Sequence, residues 1–334
     1  MLPLEQGNTF AAPRPFLPGV MAGEGAGACM QWREVLQREP VGEIRIDQDL
    51  APYTTYRVGG PAAALVRPRS REEFIRLFQV IGRESIPWAV IGRGSNLLVS
   101  DKGFEGVVVF VDRCFGGKEL VDAPGRVRVE AGCTLSGLLA WCLRRALAGL
   151  EFLVGIPGTV GGAVRMNAGA WGQEIASRLE EVEVVRPGGA AGRKTRDELR
   201  PGYRDIGLEP DEVILTATFN LEMGDRRRIL AKIRKIVRER RKKQPGEYAS
   251  CGSFFKNPPG DYAGRLIEAA GLKGHTVGRA RVSEHHANFI VNLGGATASE
   301  IYTLMRRVQE RVRETAGVEL KPEVRLLGRF EEDR

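Results

Sequence analysis

Ser253 stands in the stretch SCGSFFKNPP, residues 250–259, after a glycine but with no glycine two places on and no histidine beside it. A nucleophilic serine needs a base to take its proton, so this one does not read as a hydrolase serine. Taken alone, the ten residues read as a turn that leads into a strand. The chain holds three histidines, His275, His285 and His286, all in its last fifth, so proton chemistry upstream has to use other side chains. The His285–His286 pair invites a metal reading. Neighbours in a strand point to opposite faces, however, and no further ligand cluster accompanies them, so no metal is expected.

Two glycine-rich loops carry a second kind of chemistry. In AVIGRGSNLLV a strand runs into Gly92-Arg93-Gly94-Ser95-Asn96, a turn able to point successive backbone N–H groups into one anion-binding concavity. A dinucleotide fold of the Rossmann type needs a third glycine followed by a helix. Leu97 occupies that position and a strand is expected after it, so that assignment fails. By itself this loop reads as an ordinary hairpin turn. The second loop, GIPGTVGGAVRMNAGAWG, carries Gly155, Gly158, Gly161, Gly162, Gly169 and Gly172 among small residues, which lets backbone approach a large flat ligand closely. Two such loops together point to a bound group rather than to turns.

The elements that must position these loops are mixed. A capping box of Ser70 and Glu73 starts a helix with Phe74, Leu77, Phe78 and Ile81 on one face, before Pro87. A helix is expected from Leu135 to Ala148, capped by Thr134, among short β-type runs from about 112 to 222. Residues 225–243 place Ile229, Leu230, Ile233, Ile236 and Val237 on one helical face with basic residues around the rest. No aromatics interleave those charges, so a solvated amphipathic helix linking domains is favoured over a nucleic-acid arm. A strand-like HANFIVNL and a capped helix, TASEIYTLMRRVQERVRETAG, precede the closing VELKPEVRLLGRF.

The chain has 334 residues, 43% hydrophobic and 28% charged, enough for two or three domains, and no apolar run approaches the length of a membrane span. Five scattered cysteines, Cys29, Cys114, Cys133, Cys142 and Cys251, with no C-x-x-C, argue against a disulfide framework or a zinc site and for a reducing cytoplasm. The formal charge of +8 suits an acidic partner without choosing among nucleic acid, anionic lipid and phosphorylated small molecules. Residues 1–32, rich in Gly, Ala and Pro, lack the basic start and continuous apolar core of a signal peptide and read as a loosely attached tail.

In order and spacing, VIGRGSNLLVSD, GIPGTVGGAVRMNAGAWG, GYRD, GSFFKNP and KPEVRLLG resemble the UDP-N-acetylenolpyruvoylglucosamine reductase family over about residues 35–330. The five motifs together are far more specific than any one of them. The resemblance implies an α+β protein: the two-subdomain FAD-binding fold of vanillyl-alcohol oxidase-like flavoproteins, residues 33–111 and 112–224, then a C-terminal α+β substrate domain, 225–334. It implies non-covalent FAD, with Gly92, Arg93, Gly94, Ser95, Asn96 and Leu97 at the pyrophosphate. The stretch Gly155, Ile156, Pro157, Gly158, Thr159, Gly161 and Gly162 would approach the flavin. No histidine precedes residue 275, which excludes a covalent flavin through histidine in that region.

The implied reaction is hydride transfer from NADPH through FAD to C3 of an enolpyruvyl group on a UDP-sugar, a bacterial cell-wall role in the cytoplasm. Motif matching carries over Ser253 as proton donor, Arg204 as the stabiliser on the carboxylate side and Glu323 as the second acidic group. Lys243 and Asn257 match positions that bind substrate; Tyr203 is grouped with them at the substrate site, where it either helps fix Arg204 or is a buried aromatic. No nucleic acid, membrane or metal partner is implied. Arg165 departs from the pattern, since many members carry an aromatic residue there; it either alters contacts around the flavin or faces solvent. The span after GSFFKNP is too short for the tyrosine-bearing loop of one family branch, so the chain resembles the shorter branch. An oxygen-using oxidase on the same fold is the nearest alternative, and a basic nucleic-acid-binding protein a distant one.

Overall fold

The computed structural model describes residues 26–112 and 115–331. Its first sheet has four strands in the order Glu43–Asp49, Pro61–Arg67, Phe104–Phe110 and Trp88–Ile91. The first pair is antiparallel and the other pairs are parallel. Val107 and Val109 face one core while Val108 faces another, the alternation that a strand buried on both faces imposes. Helix Arg71–Arg83 covers one face with Phe74, Leu77, Phe78 and Ile81, all buried, and Ser70 caps it by accepting the Glu73 N–H at 3.2 Å. Glu73 does not complete the expected box: its carboxylate takes the N–H of Arg69 at 2.7 Å, one residue earlier.

The second sheet is antiparallel throughout, in the order Ala191–Thr195, Leu179–Val185, Val213–Asn220, Arg126–Glu130 and Lys118–Leu120. Helix Leu135–Arg144 is capped by Thr134 as expected but stops four residues early. Ala146 sits at φ +55, outside helical space, and Leu147–Ala148 turns into a short strand against Glu222–Met223.

In the C-terminal part, helices Ala263–Ala269 and Ala298–Ala316 pack with a three-stranded antiparallel sheet of Thr276–Val277, Ala280–Val282 and Ile290–Asn292. Thr297 and Glu300 form a full capping box on the long helix, and Gly317 at φ +67 ends it. Mixed sheets and helices bear out the α+β expectation.

Two expectations change. Helix Ala26–Arg38 begins inside the stretch read as a tail, and Trp32 and Leu36 enter the main core; residues 1–25 lie outside the described residues. The closing strand Arg325–Leu327, expected within a separate C-terminal domain, pairs in parallel with Leu97–Val99 far upstream. Asp101 strengthens that link by accepting the N–H groups of Ala298 and Ser299, both at 2.8 Å, at the N-terminus of the long helix. Helix Arg226–Lys243 buries Ile229 and Ile236, with Leu230, Ile233 and Val237 half-buried. Among the described residues no helix is long and apolar enough to cross a membrane.

Candidate active site

One cavity of about 440 Å³ brings together both glycine loops, Arg204, Ser253 and Glu323. Strand Trp88–Ile91 delivers the first loop and Leu97–Val99 takes it away, so the strand–loop–strand reading holds. The second loop is tied to the end of the neighbouring sheet: Val160 and Gly161 donate to the carbonyls of Cys133 and Ala131 at 2.8 and 2.9 Å. Thr159 caps a short helix, Val160–Arg165, within what sequence presented as an irregular loop. The two loops also touch. Ser95 Oγ donates to the Pro157 carbonyl at 2.8 Å, and a Cβ on Gly92 would lie 2.5 Å from Thr159 Oγ1. Only glycine allows that approach.

The first loop meets the test for a bound anion. Among the described residues, the backbone N–H groups of Arg93, Gly94, Ser95 and Asn96 donate to no protein acceptor, although Gly94 is buried. Four successive donors without a protein partner, around a buried glycine in an otherwise half-exposed turn, are available to an acceptor from outside the chain. A diphosphate supplies acceptor oxygens of that kind, and the glycine-lined wall opposite leaves room for a flat ring system.

At the other end of the cavity Gly252, at φ +82, turns the chain so that Ser253 lines the wall. Phe254 and Phe255 are both buried in the C-terminal core, their rings 5.3 Å apart. Asn288 holds the segment like a paired strand. Its Oδ1 accepts the Phe255 N–H and its Nδ2 donates to the Phe255 carbonyl, both at 2.9 Å, while its own carbonyl takes the Phe254 N–H. Ser253 Oγ has no protein hydrogen-bond partner among the described residues, so its proton is uncommitted.

Arg204 and Glu323 form an ion pair, Nε to Oε1 at 2.8 Å, with both side chains mostly buried; the N–H is not aimed along that line. Arg204 Nη1 donates to the Gly169 carbonyl at 3.3 Å. Burial pushes the Glu323 carboxyl above its ordinary value, and Arg204 only partly opposes it. Glu323 belongs to the closing segment, whose N–H goes to the Phe254 carbonyl at 2.8 Å. Asn96 Nδ2 donates to the Glu323 carbonyl at 3.1 Å, so the glycine loop and the acidic residue are fixed to one another.

The three substrate-binding candidates lie away from the cavity lining. Tyr203, 49% exposed, accepts the Asn257 N–H on its hydroxyl at 3.4 Å, and Asn257 Oδ1 takes the Ala263 N–H at 3.1 Å. Lys243 Nζ stands 5.5 Å from the Trp171 ring centre. His285 sits in a bend and His286 directly after it, neither in a strand. His285 Nε2 meets the Lys242 carbonyl at 2.8 Å and the His286 ring packs on Phe289, so each ring has a non-metal contact.

Sequence reasoning passed over several cavity residues. Arg240 lines the wall, and its Nε is buried with no acceptor among the described residues. The signal was present: residues 229, 233, 236 and 240 fall on one helical stripe, which puts a guanidinium on the apolar face of a basic helix. Arg325, inside KPEVRLLG, also lines the cavity. Arg165 is half-buried and bonds two carbonyls, so it is not the solvent-facing residue that one reading allowed.

Residues 62–193 match the family model described as FAD binding domain, and residues 244–327 match that of UDP-N-acetylenolpyruvoylglucosamine reductase, C-terminal domain. Curated relatives named UDP-N-acetylenolpyruvoylglucosamine reductase match across nearly their whole length. The protein from Alkalilimnicola ehrlichii is 43% identical over 288 residues, 86% of this chain and 95% of the relative. That from Geobacter sulfurreducens is 44% identical over 295 residues, 88% and 97% of the two chains. The chain belongs to the UDP-N-acetylenolpyruvoylglucosamine reductase family. A solved family structure, from Thermus caldophilus, superposes with a TM-score of 0.73 at 39% identity, covering 86% of this chain and 98% of that one. Membership makes this chain a flavin-dependent oxidoreductase, and residues of both matched regions line the one cavity.

Proposed function

We propose that this family member reduces the enolpyruvyl group of UDP-N-acetylglucosamine-enolpyruvate to UDP-N-acetylmuramate, for peptidoglycan precursor synthesis in the cytoplasm, with NADPH as hydride donor and non-covalent FAD. The observation that carries the reading is Ser253, a serine without a base or any protein hydrogen-bond partner among the described residues, in one cavity with the Arg204–Glu323 pair and the anion-binding glycine loop. When bound, FAD supplies the hydride relay between nicotinamide and C3 of the enolpyruvyl group. The loop Gly92–Leu97 would hold its diphosphate, and the segment Gly155–Gly162 would approach the flavin.

Hydride arrival at C3 leaves an electron pair at C2, delocalised into the carboxylate. Arg204 stays charged at any working pH and stabilises that charge without losing a proton. Glu323, held toward its neutral form by burial, adds a hydrogen bond from a carboxylic acid or orients the guanidinium as its partner. Ser253 gives its hydroxyl proton to C2. A hydroxyl is a weak acid, but a carbanion is a strong enough base to take its proton, so no histidine is required. Outside the cavity, Tyr203, Asn257 and Lys243 bind the UDP-sugar, with Lys243 facing its diphosphate.

The experiment is a pair of anaerobic half-reactions on FAD-loaded protein. NADPH is expected to bleach the flavin, and the enolpyruvyl substrate is expected to restore its colour far faster than dioxygen does. Rapid recovery with dioxygen and none with the substrate identifies an oxidase instead.

A further inference from the structure

The tripeptide Arg165-Met166-Asn167 ends the short helix of the second glycine loop, and its outer side chains grip the segment that carries Arg204 from both ends. Asn167 is fully buried. It donates Nδ2 to the Gly202 carbonyl at 2.9 Å and accepts the Ala176 N–H on Oδ1 at 3.2 Å. Arg165 Nη1 donates to the carbonyls of Leu208 and Glu209, at 3.2 and 3.0 Å.

Between these grips the chain makes a tight turn. Gly202 and Asp205 exchange both backbone hydrogen bonds, at 2.8 and 3.2 Å, so Tyr203 and Arg204 are its central residues. Arg204 sits at φ +58, left-handed space that a side chain of its size enters only when the surroundings hold it there. Its guanidinium has to meet Glu323 and a reacting carboxylate at once, and an error of a bond length in such a group degrades catalysis.

We propose that Arg165 is a positioning residue for Arg204: by bridging the Leu208 and Glu209 carbonyls it closes the far end of the Pro201–Pro210 segment and sets the guanidinium over the cavity. The proposal rests on the role given to Arg204 above. Arg165 forms no ion pair among the described residues, and the nearby Glu212 carboxylate is already held by Arg186 and Lys194 at 2.7 and 2.8 Å. Its two bonds are therefore to backbone, the kind of contact that sets loop geometry. An aromatic side chain, which many family members carry here, cannot bridge two carbonyls. Glu212 also accepts the Glu209 N–H at 2.9 Å, so losing Arg165 loosens the segment without unfolding it.

The test compares R165M, R165K, R204M and the double variant R165M/R204M as FAD-loaded enzymes. Flavin reduction by NADPH, flavin recovery with UDP-N-acetylglucosamine-enolpyruvate and the melting midpoint are measured on each. R165M is expected to slow the substrate step by roughly 10²-fold, the scale of a misplaced catalytic group, while NADPH reduction stays within about twofold. R165K restores part of the loss, and R165M adds little once Arg204 is already methionine. Slow R204M with an unchanged R165M, or full additivity in the double variant, overturns the positioning role alone. A fully active R204M overturns the role of Arg204, and the positioning role with it.

Discussion

Replacing Ser253 with alanine separates chemistry from folding because of what the hydroxyl does not do. Ser253 Oγ has no protein hydrogen-bond partner among the described residues, so its removal leaves no buried donor or acceptor stranded. The segment stays fixed by Asn288, which pairs with both backbone groups of Phe255, and by the buried Phe254 and Phe255 rings. A half-buried side chain with no such partner costs about 0.5 kcal/mol or less when truncated, so the melting midpoint of S253A should hardly move. The rate should move a great deal. Loss of a placed proton donor costs ~10²-fold to 10⁴-fold, which is about 2.7–5.4 kcal/mol of barrier.

The assay is stopped-flow flavin absorbance under anaerobic conditions. NADPH should bleach S253A at nearly the wild-type rate, since that half-reaction needs no proton at C2, and recovery with the enolpyruvyl substrate should slow by the factor above. A folded, FAD-loaded S253A that recovers its colour at the wild-type rate refutes the proton-donor reasoning. Equal slowing of both half-reactions refutes it as well, because it points to a displaced flavin.

Gly92→Ala places a methyl 2.5 Å from Thr159 Oγ1 with no left-handed φ involved, so its effect is purely steric. It should weaken the Thr159 cap by ~0.5–2 kcal/mol and reduce FAD affinity, read by flavin fluorescence titration and thermal melting; unchanged FAD affinity refutes the contact between loops. Glu323→Gln tests the raised carboxyl. A folded-state value above the unfolded one gives stability that is complete below the ordinary carboxylate range and lost as pH rises through the folded value. Glutamine escapes that loss, so the stability of E323Q relative to wild type should climb across that window, whatever constant offset the unpartnered Arg204 adds; a flat or falling difference contradicts it. Cys251 is buried and its thiol is pushed up to about 12, so native protein should resist alkylation there until it is unfolded, as peptide mass mapping can show.

Local signals in the sequence were legible and long-range ones were not. Ser70, Thr134 and Thr297 announce helix starts through short-range capping, and the structure places all three as expected. The end of the helix after Thr134 was misjudged because Arg144 to Ala148 keeps helix-forming residues, while the strand pairing of Leu147–Ala148 with Glu222–Met223 is settled some 75 residues away. In the same way nothing near Arg325 says that it joins Leu97–Val99 in a parallel pair, since that partner is supplied by the other end of the fold. Asn288 carried no signal at all: an asparagine inside the strand-like HANFIVNL is ordinary until it is found before the strand, which spans only Ile290–Asn292, with its amide completing the backbone of Phe255.

The site depends on that long-range pairing more than on any single loop. Leu97–Val99 follows the first glycine loop directly, and Arg325–Leu327 follows Glu323 by one residue, so their parallel register ties that loop to Glu323. Asn96 reinforces the tie with two bonds, Nδ2 donating to the Glu323 carbonyl and its own carbonyl accepting the Arg325 N–H at 3.0 Å. Glu323 in turn is hydrogen-bonded through its backbone to Phe254, the residue after Ser253. The Ser253 segment, Glu323 and the first glycine loop thus share one continuous backbone network, whereas Arg204 reaches the same cavity from a separate turn between Gly202 and Asp205. That asymmetry is the reason the proposed grips matter: Arg165, which also lines the cavity, and the fully buried Asn167 are what fix the turn that carries Arg204.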